Sequence, residues 1–278
     1  MSYNNEAGEF EPNRLPENVK QEIRAITGAI GTLVGGVSGS ARHGNGNAVD
    51  VLTNAQVGGV VGQNIVENNE LLGEIEFLIR HPKIAAEIGT ASKNPERELD
   101  PNISTIASTF QLNLFNNRIF GGEGGVGNAF RHVLWQALIT SRFGKDIAIQ
   151  AGNSHETGFK IDFSNRRNIP LAKADEMIDQ LNNSIGREIA INNPTANNKE
   201  LAYMILDHFA KVGLYQAERS DSNLYNVVRK PISQSDYNNA LIKLNSLDNT
   251  GAGPTIQRER TRRRDIMIRL INSYGRKF

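Results

Sequence analysis

The sequence predicts an all-α protein, with at most one short hairpin, near 220–235. Three observations lead there. Apolar residues recur at intervals of three and four along several stretches, whereas the period-two alternation of a half-buried strand is scarce. Aromatic content is only 6%, and Asn-Asn pairs are frequent, as in a helix-and-loop chain.

Residues 1–16 read as a leader broken by Pro12 and Pro16, and its polar, acidic start carries no secretory signal pattern. Helical spacing follows over 17–37. Gly31, Gly35 and Gly39 repeat there every four residues, which lets two helices approach closely. A tight helical hairpin is the favoured reading, although a membrane helix would use the same spacing as a dimerising face. The apolar run 25–37 is too short and too rich in Gly to span a bilayer. A second short helix is expected over 49–66. Leu71, Leu72, Ile75, Phe77, Leu78 and Ile79 predict an amphipathic helix over 70–88, interrupted by Pro82. After the polar loop ASKNPERELDPN, a helix is expected over 105–120, and the loop GGEGGVGN leads into helices at 129–143, 145–156 and 171–191. The last part predicts a helix over 200–216, the hairpin, and a basic helix over 255–274.

Composition narrows the chemistry. Without cysteine, disulfides and thiolate-metal sites are excluded. The formal net charge of +1 conceals a split: residues 196–278 hold fourteen Lys/Arg against eight Asp/Glu, leaving the remainder acidic. A basic C-terminal segment suits nucleic acid, an anionic membrane surface or an acidic protein.

The densest set of reactive side chains spans 130–188. In FRHVLWQALITSRFG, Arg131, His132, Trp135 and Gln136 fall within about one turn of one another, while Phe130, Val133, Leu134, Ala137 and Leu138 bury most of the helix. His155 and Glu156 end the next helix. In DEMIDQLNNSIGRE, the core stripe Ile178, Leu181, Ile185 and Ile189 is bordered by Asp175, Asp179, Asn182 or Asn183, and Gly186, with Arg187 farther round. Carboxylates and amides beside an apolar face, with a Gly gap between them, are how a helix lines a polar pocket. His132, His155, Glu156 and Asp179 suit a general acid/base pair or a two-His, carboxylate metal site. Metal-free chemistry is favoured, because neither HExxH nor closely spaced ligands occur; a divalent metal stays open. Arg131 or Arg187 would neutralise a phosphate or a developing oxyanion. The same residues equally suit a hydrogen-bonded core network with no catalytic part.

His43, His81 and His208 are read as solvated or packed residues. In the tail QRERTRRRDIMIRLINSYGRKF, Arg262, Arg263 and Arg264 are candidates for phosphate binding through charge. The alternatives there are an anionic lipid surface, or a docked helix burying Ile266, Met267, Leu270 and Ile271.

Two resemblances bear on these residues. Val66, Glu67, Asn68 and Asn69 (VENN), preceded by the Gly/Ala/Val-rich stretch 25–69, resemble the pretoxin region of the large CdiA-type exoproteins of contact-dependent growth inhibition. This implies a surface exoprotein whose C-terminal toxin is released near Asn69 and crosses the target membrane to act in the target cytoplasm. It also implies a cognate immunity protein, expected to be acidic, and leaves room for a target-cell activator. Cleavage at Asn69 is chemically sensible, because its side-chain amide can attack its own carbonyl.

The ordered set NAFRHxxW, the HE pair and D-x-x-NN-x-x-GR resembles an uncharacterised α-helical domain found at the C-termini of bacterial polymorphic toxins, over roughly 70–190. That resemblance singles out Arg131, His132, Trp135, His155, Glu156, Asp179, Asn182, Asn183 and Arg187. The expected organisation is a delivery segment over 1–69, a helical toxin domain over 70–195, and a basic extension of it over 196–278. The expected activity is a hydrolase acting on nucleic acid, RNA above all, since nucleases dominate such toxins. A membrane-active toxin and a non-enzymatic inhibitor of a target protein are the alternatives.

Overall fold

The computed structural model describes residues 77–115, 124–154 and 161–274, apart from 79, 93, 95 and 97. The helices expected over 17–37 and 49–66, and the VENN junction, lie outside the described residues. The chain divides into two compact units: Met1–Ala86 with Asn153–Phe159, and Glu87–Gly152 with Lys160–Phe278. In the first, the rings of Phe77 and His81 meet at 5.2 Å.

Eight helices and three strands are seen among the described residues: α1 (Pro82–Ile88), α2 (Ile103–Leu114), α3 (Val126–Phe143), α4 (Lys145–Ser154), β1 (Ile169–Pro170), α5 (Leu171–Asn192), α6 (Asn198–Lys211), β2 (Leu214–Arg219), β3 (Leu224–Lys230), α7 (Gln234–Ser246) and α8 (Pro254–Tyr274). The protein is thus mainly α, as expected, and the short hairpin expected near 220–235 is present, but a third strand, β1, extends it into a sheet. The strands are antiparallel in the order β1-β3-β2, with Leu214 opposite Lys230, Arg219 opposite Tyr225, and Ile169 also opposite Tyr225.

Several helix starts are written in the sequence. Asn102 accepts a hydrogen bond from the Thr105 amide at 2.8 Å, and Ser233 accepts one from the Asp236 amide at 3.0 Å. Asn197 and Glu200 form a reciprocal capping box at the start of α6. Each such cap is worth about 1 kcal/mol. Pro82 stands at the first position of α1, where its missing N–H costs nothing.

The core of the larger unit is organised around α3, which is buried over most of its length. Phe130, Val133, Leu134, Ala137 and Ile139 are fully buried, and all but the small Ala137 contribute about 1.5–3 kcal/mol each. α2, α5 and α6 all pack on this helix. The Phe115 ring lies 5.1 Å from Phe130 and 6.2 Å from Phe209, tying the end of α2 to α3 and α6. The sheet covers α5, burying Val227 and Ile169 with Ala174, Met177 and Ile178.

Three boundaries differ from expectation. The helix predicted over 200–216 ends at Lys211, and Gln216 lies in β2. Gly213 forces this stop: its φ is +90°, and a Cβ there would sit 2.5 Å from the Lys230 carbonyl carbon, so only glycine lets the chain turn into the sheet. The hairpin therefore spans 214–230 rather than 220–235, with its turn at 220–223. The helix predicted to reach 120 ends at Leu114, capped by Phe115. The basic helix over Pro254–Tyr274 matches its expected span, but Ile266, Met267, Leu270 and Ile271 are exposed, not buried.

Candidate active site between two parallel helices

Asn128 faces Asp179, and Gln136 faces Arg187; each pair is 51 residues apart, so α3 and α5 run in the same direction. Gly186 sets their separation. A Cβ at that position would fall 2.1 Å from the Val133 carbonyl oxygen, a contact that only glycine avoids. The two backbones touch there, and the polar side chains before and after the crossing are pressed into one seam.

At the first end of the seam, His132 Nε2 lies 3.5 Å from Asp179 Oδ2, with the two side chains 19% and 13% exposed. Arg131 Nη2 donates to Asn128 Oδ1 at 2.6 Å and lies 3.2 Å from His132 Nε2. Asn128 Nδ2 donates in turn to Asp179 Oδ1 at 3.5 Å. Burial pulls the Arg131 guanidinium below its ordinary pKa, while the Asp179 and Asp175 carboxylates pull it back up. An imidazole, a carboxylate and a guanidinium therefore converge in a mostly buried cluster, a set of groups suited to proton transfer and anion neutralisation.

Farther along, Arg187 Nη1 donates to Gln136 Oε1 at 2.9 Å, and burial lowers the Arg187 pKa. Gln136 and Asn183 are almost wholly buried, yet Gln136 Nε2 and Asn183 Oδ1 have no hydrogen-bond partner among the described residues. Unmatched buried groups cost about 1–3 kcal/mol each, so packing alone does not favour this choice of residues.

The other candidates divide. Asn182 is fully buried and clasps a strand: its Nδ2 donates to the Tyr215 carbonyl, and its Oδ1 accepts from the Tyr215 amide, both at 3.0 Å. Trp135 donates from Nε1 to Ser104 Oγ at 3.0 Å, anchoring α2 to α3. Arg262, Arg263 and Arg264 lie on the exposed part of α8, away from the seam in sequence, and Arg264 bonds the Leu99 carbonyl and Asp100. His155, Glu156, Val66, Glu67, Asn68 and Asn69 lie outside the described residues. Among the described residues no three His, Asp or Glu side chains gather as metal ligands.

Sequence reasoning passed over a second cluster. His208 Nε2 lies 2.8 Å from Arg229 Nη2, and Arg229 and Arg166 both lie over the Tyr215 ring, at 5.5 and 5.6 Å. His208 comes from α6, Arg166 from the segment before β1, and Tyr215 and Arg229 from paired positions of β2 and β3, so four stretches of chain meet here and no single local pattern announces the cluster.

The fold and seam define a mainly helical domain with a charged, mostly buried cluster between two parallel helices. Residues 102–212 match the family model described as a domain of unknown function (DUF6973). The match covers less than half of the chain but contains every described residue of the α3–α5 seam. No curated protein and no solved structure shows a significant match.

Proposed function

We propose that this chain is an antibacterial effector of contact-dependent growth inhibition, and that its seam hydrolyses nucleic acid, RNA above all. The observation that carries the chemistry is the convergence of His132, Asp179 and Arg131 where α3 meets α5. His132 takes the proton of the attacking hydroxyl or water as the new P–O bond forms, Asp179 stabilises the imidazolium that results, and Arg131 offsets charge on the phosphate. The imidazolium then returns its proton to the leaving alkoxide oxygen as the scissile P–O bond breaks. Such proton transfer is worth about 10² to 10⁴ in rate. The delivery setting rests on the VENN junction and its Gly-rich lead-in, and so do an acidic immunity protein and passage through a target membrane.

The test is induction of residues 70–278 inside a susceptible bacterium, following RNA, nucleoid integrity and membrane potential together. Loss of RNA before depolarisation, abolished by His132→Ala and by Asp179→Asn in chains that keep the parent melting temperature, is the expected result. Depolarisation with nucleic acids intact would replace this reading with a membrane-active one. Unfolding of both variants would make the cluster a structural core network.

A further inference from the structure

The two halves of α8 differ in what they touch. The first half is docked: Gln257 Nε2 donates to the Ala252 carbonyl at 2.6 Å, Arg260 is buried and donates to Thr250 Oγ1 at 2.5 Å, and Arg264 reaches Asp100 at 3.2 Å. From Asp265 to Asn272 every residue is exposed. Ile266, Met267, Leu270 and Ile271 are 47, 39, 53 and 62% exposed. Their spacing of i, i+1, i+4 and i+5 gathers them on one side of the helix. Ile268 lies on the other side and is not part of this face. Arg262 and Arg269, seven residues apart and exposed, border the apolar face.

A contiguous exposed apolar face rimmed by cationic side chains marks an interaction site, not a solvent face. Charge selects the occupant. Residues 262–271 hold four Arg against one acidic residue, Asp265, and Arg264 is paired with Asp100, so the exposed surface stays net positive and the partner is anionic. A nucleic acid would engage the arginines but leave four large aliphatic side chains in water. An anionic bilayer surface satisfies both groups: phosphates meet Arg262 and Arg269, and the aliphatic face enters the boundary between headgroups and acyl chains. No described helix is long and apolar enough to cross a membrane, so this contact lies in the interface plane.

We propose that residues 262–271 of α8 seat this protein on anionic phospholipid. The inference is independent of the chemistry assigned to His132 and Asp179. The test is flotation of the full chain with vesicles of phosphatidylglycerol and phosphatidylcholine, compared with phosphatidylcholine alone, at low and high salt. Binding only to the anionic vesicles, weakened by salt, is expected. The double variant Leu270→Glu, Ile271→Glu should remove it, and Arg262→Gln with Arg269→Gln should weaken it on the order of 10-fold. Both pairs are exposed, and unchanged circular dichroism and melting temperature would verify their folding. Failure to float with anionic vesicles, equal binding to neutral ones, or undiminished binding by Leu270→Glu, Ile271→Glu would overturn the proposal. So would a dimer, in the absence of vesicles, that this double variant abolishes, because the face would then belong to a second copy.

Discussion

His132 and Asn182 show why residues of similar appearance in sequence play different parts. His132 sits on α3 beside Arg131 and reaches Asp179 while keeping a fifth of its side chain exposed, so its neighbours suit it to proton transfer. Asn182, three residues beyond Asp179, is fully buried and spends both ends of its amide on the Tyr215 backbone. Asn182→Ala should therefore cost about 2–4 kcal/mol through two stranded backbone groups, read as a lower urea midpoint. A loss of activity with unchanged stability would instead place Asn182 in the chemistry. His208 makes a pH prediction. Burial and then Arg229 lower its pKa from 6.5, with Glu188 and Asp207 opposing. The folded state thus prefers neutral imidazole, and its contribution is complete above the unfolded value. As pH falls below about 6.5 the unfolded chain binds the proton first, and stability declines until the folded pKa is passed. His208→Gln should flatten the part of the melting-temperature profile just below pH 6.5; identical slopes would remove His208 from the account. The FRH and D-x-x-NN groups were legible because each is compact on one helix. The roles of Asn182 and His208 were not, because Tyr215 lies in a stretch read as helix and Arg229 in a hairpin whose register the local pattern does not set.

At the scale of elements, the α3–α5 crossing depends on Gly186. Alanine would normally favour a helix by about 1 kcal/mol over glycine. Here the added methyl meets the Val133 carbonyl at 2.1 Å, and backbone cannot swing aside as a side chain can. Gly186→Ala should destabilise by about 1–3 kcal/mol and separate His132 from Asp179, so calorimetry and activity should fall together. A variant as stable as the parent would show that the two backbones are not in contact. Helices with a wide buried face, α3, α5 and α6, were readable from spacing because apolar residues recur on every turn. α7 was not expected: only Ala240 and Leu244 are buried, while Ile242 points to solvent and breaks the period. β2 was absorbed into the preceding helix because residues on both its faces are covered, Leu214 and Gln216 on one and Tyr215 and Ala217 on the other. Burial alternates along β2, but the buried Gln216 stands where alternation would place an apolar residue, so the sequence pattern is broken.

For the molecule as a whole, the seam and the structure that supports it do not have the same limits. The family match stops at 212, one residue before Gly213 turns the chain into the sheet. Met177 and Ile178 are buried partly under Val227, Asn182 is satisfied by Tyr215, and Arg229 beside His208 lies on β3. On the other side of α2, Asn113 donates to the Gly251 carbonyl at 3.0 Å, and Lys243 donates to the Leu114 carbonyl at 3.2 Å. A chain cut to 102–212 exposes the sheet-facing side of α5 and leaves these polar groups without partners. It should show helical circular dichroism but no cooperative thermal transition, because secondary structure can persist when specific packing is lost. Residues 87–278 retain the sheet, α7 and the docked half of α8, and should unfold in one transition. Cooperative unfolding of the 102–212 fragment would mean that α2–α6 form a self-sufficient core and that the hairpin and C-terminal helices are attachments to it.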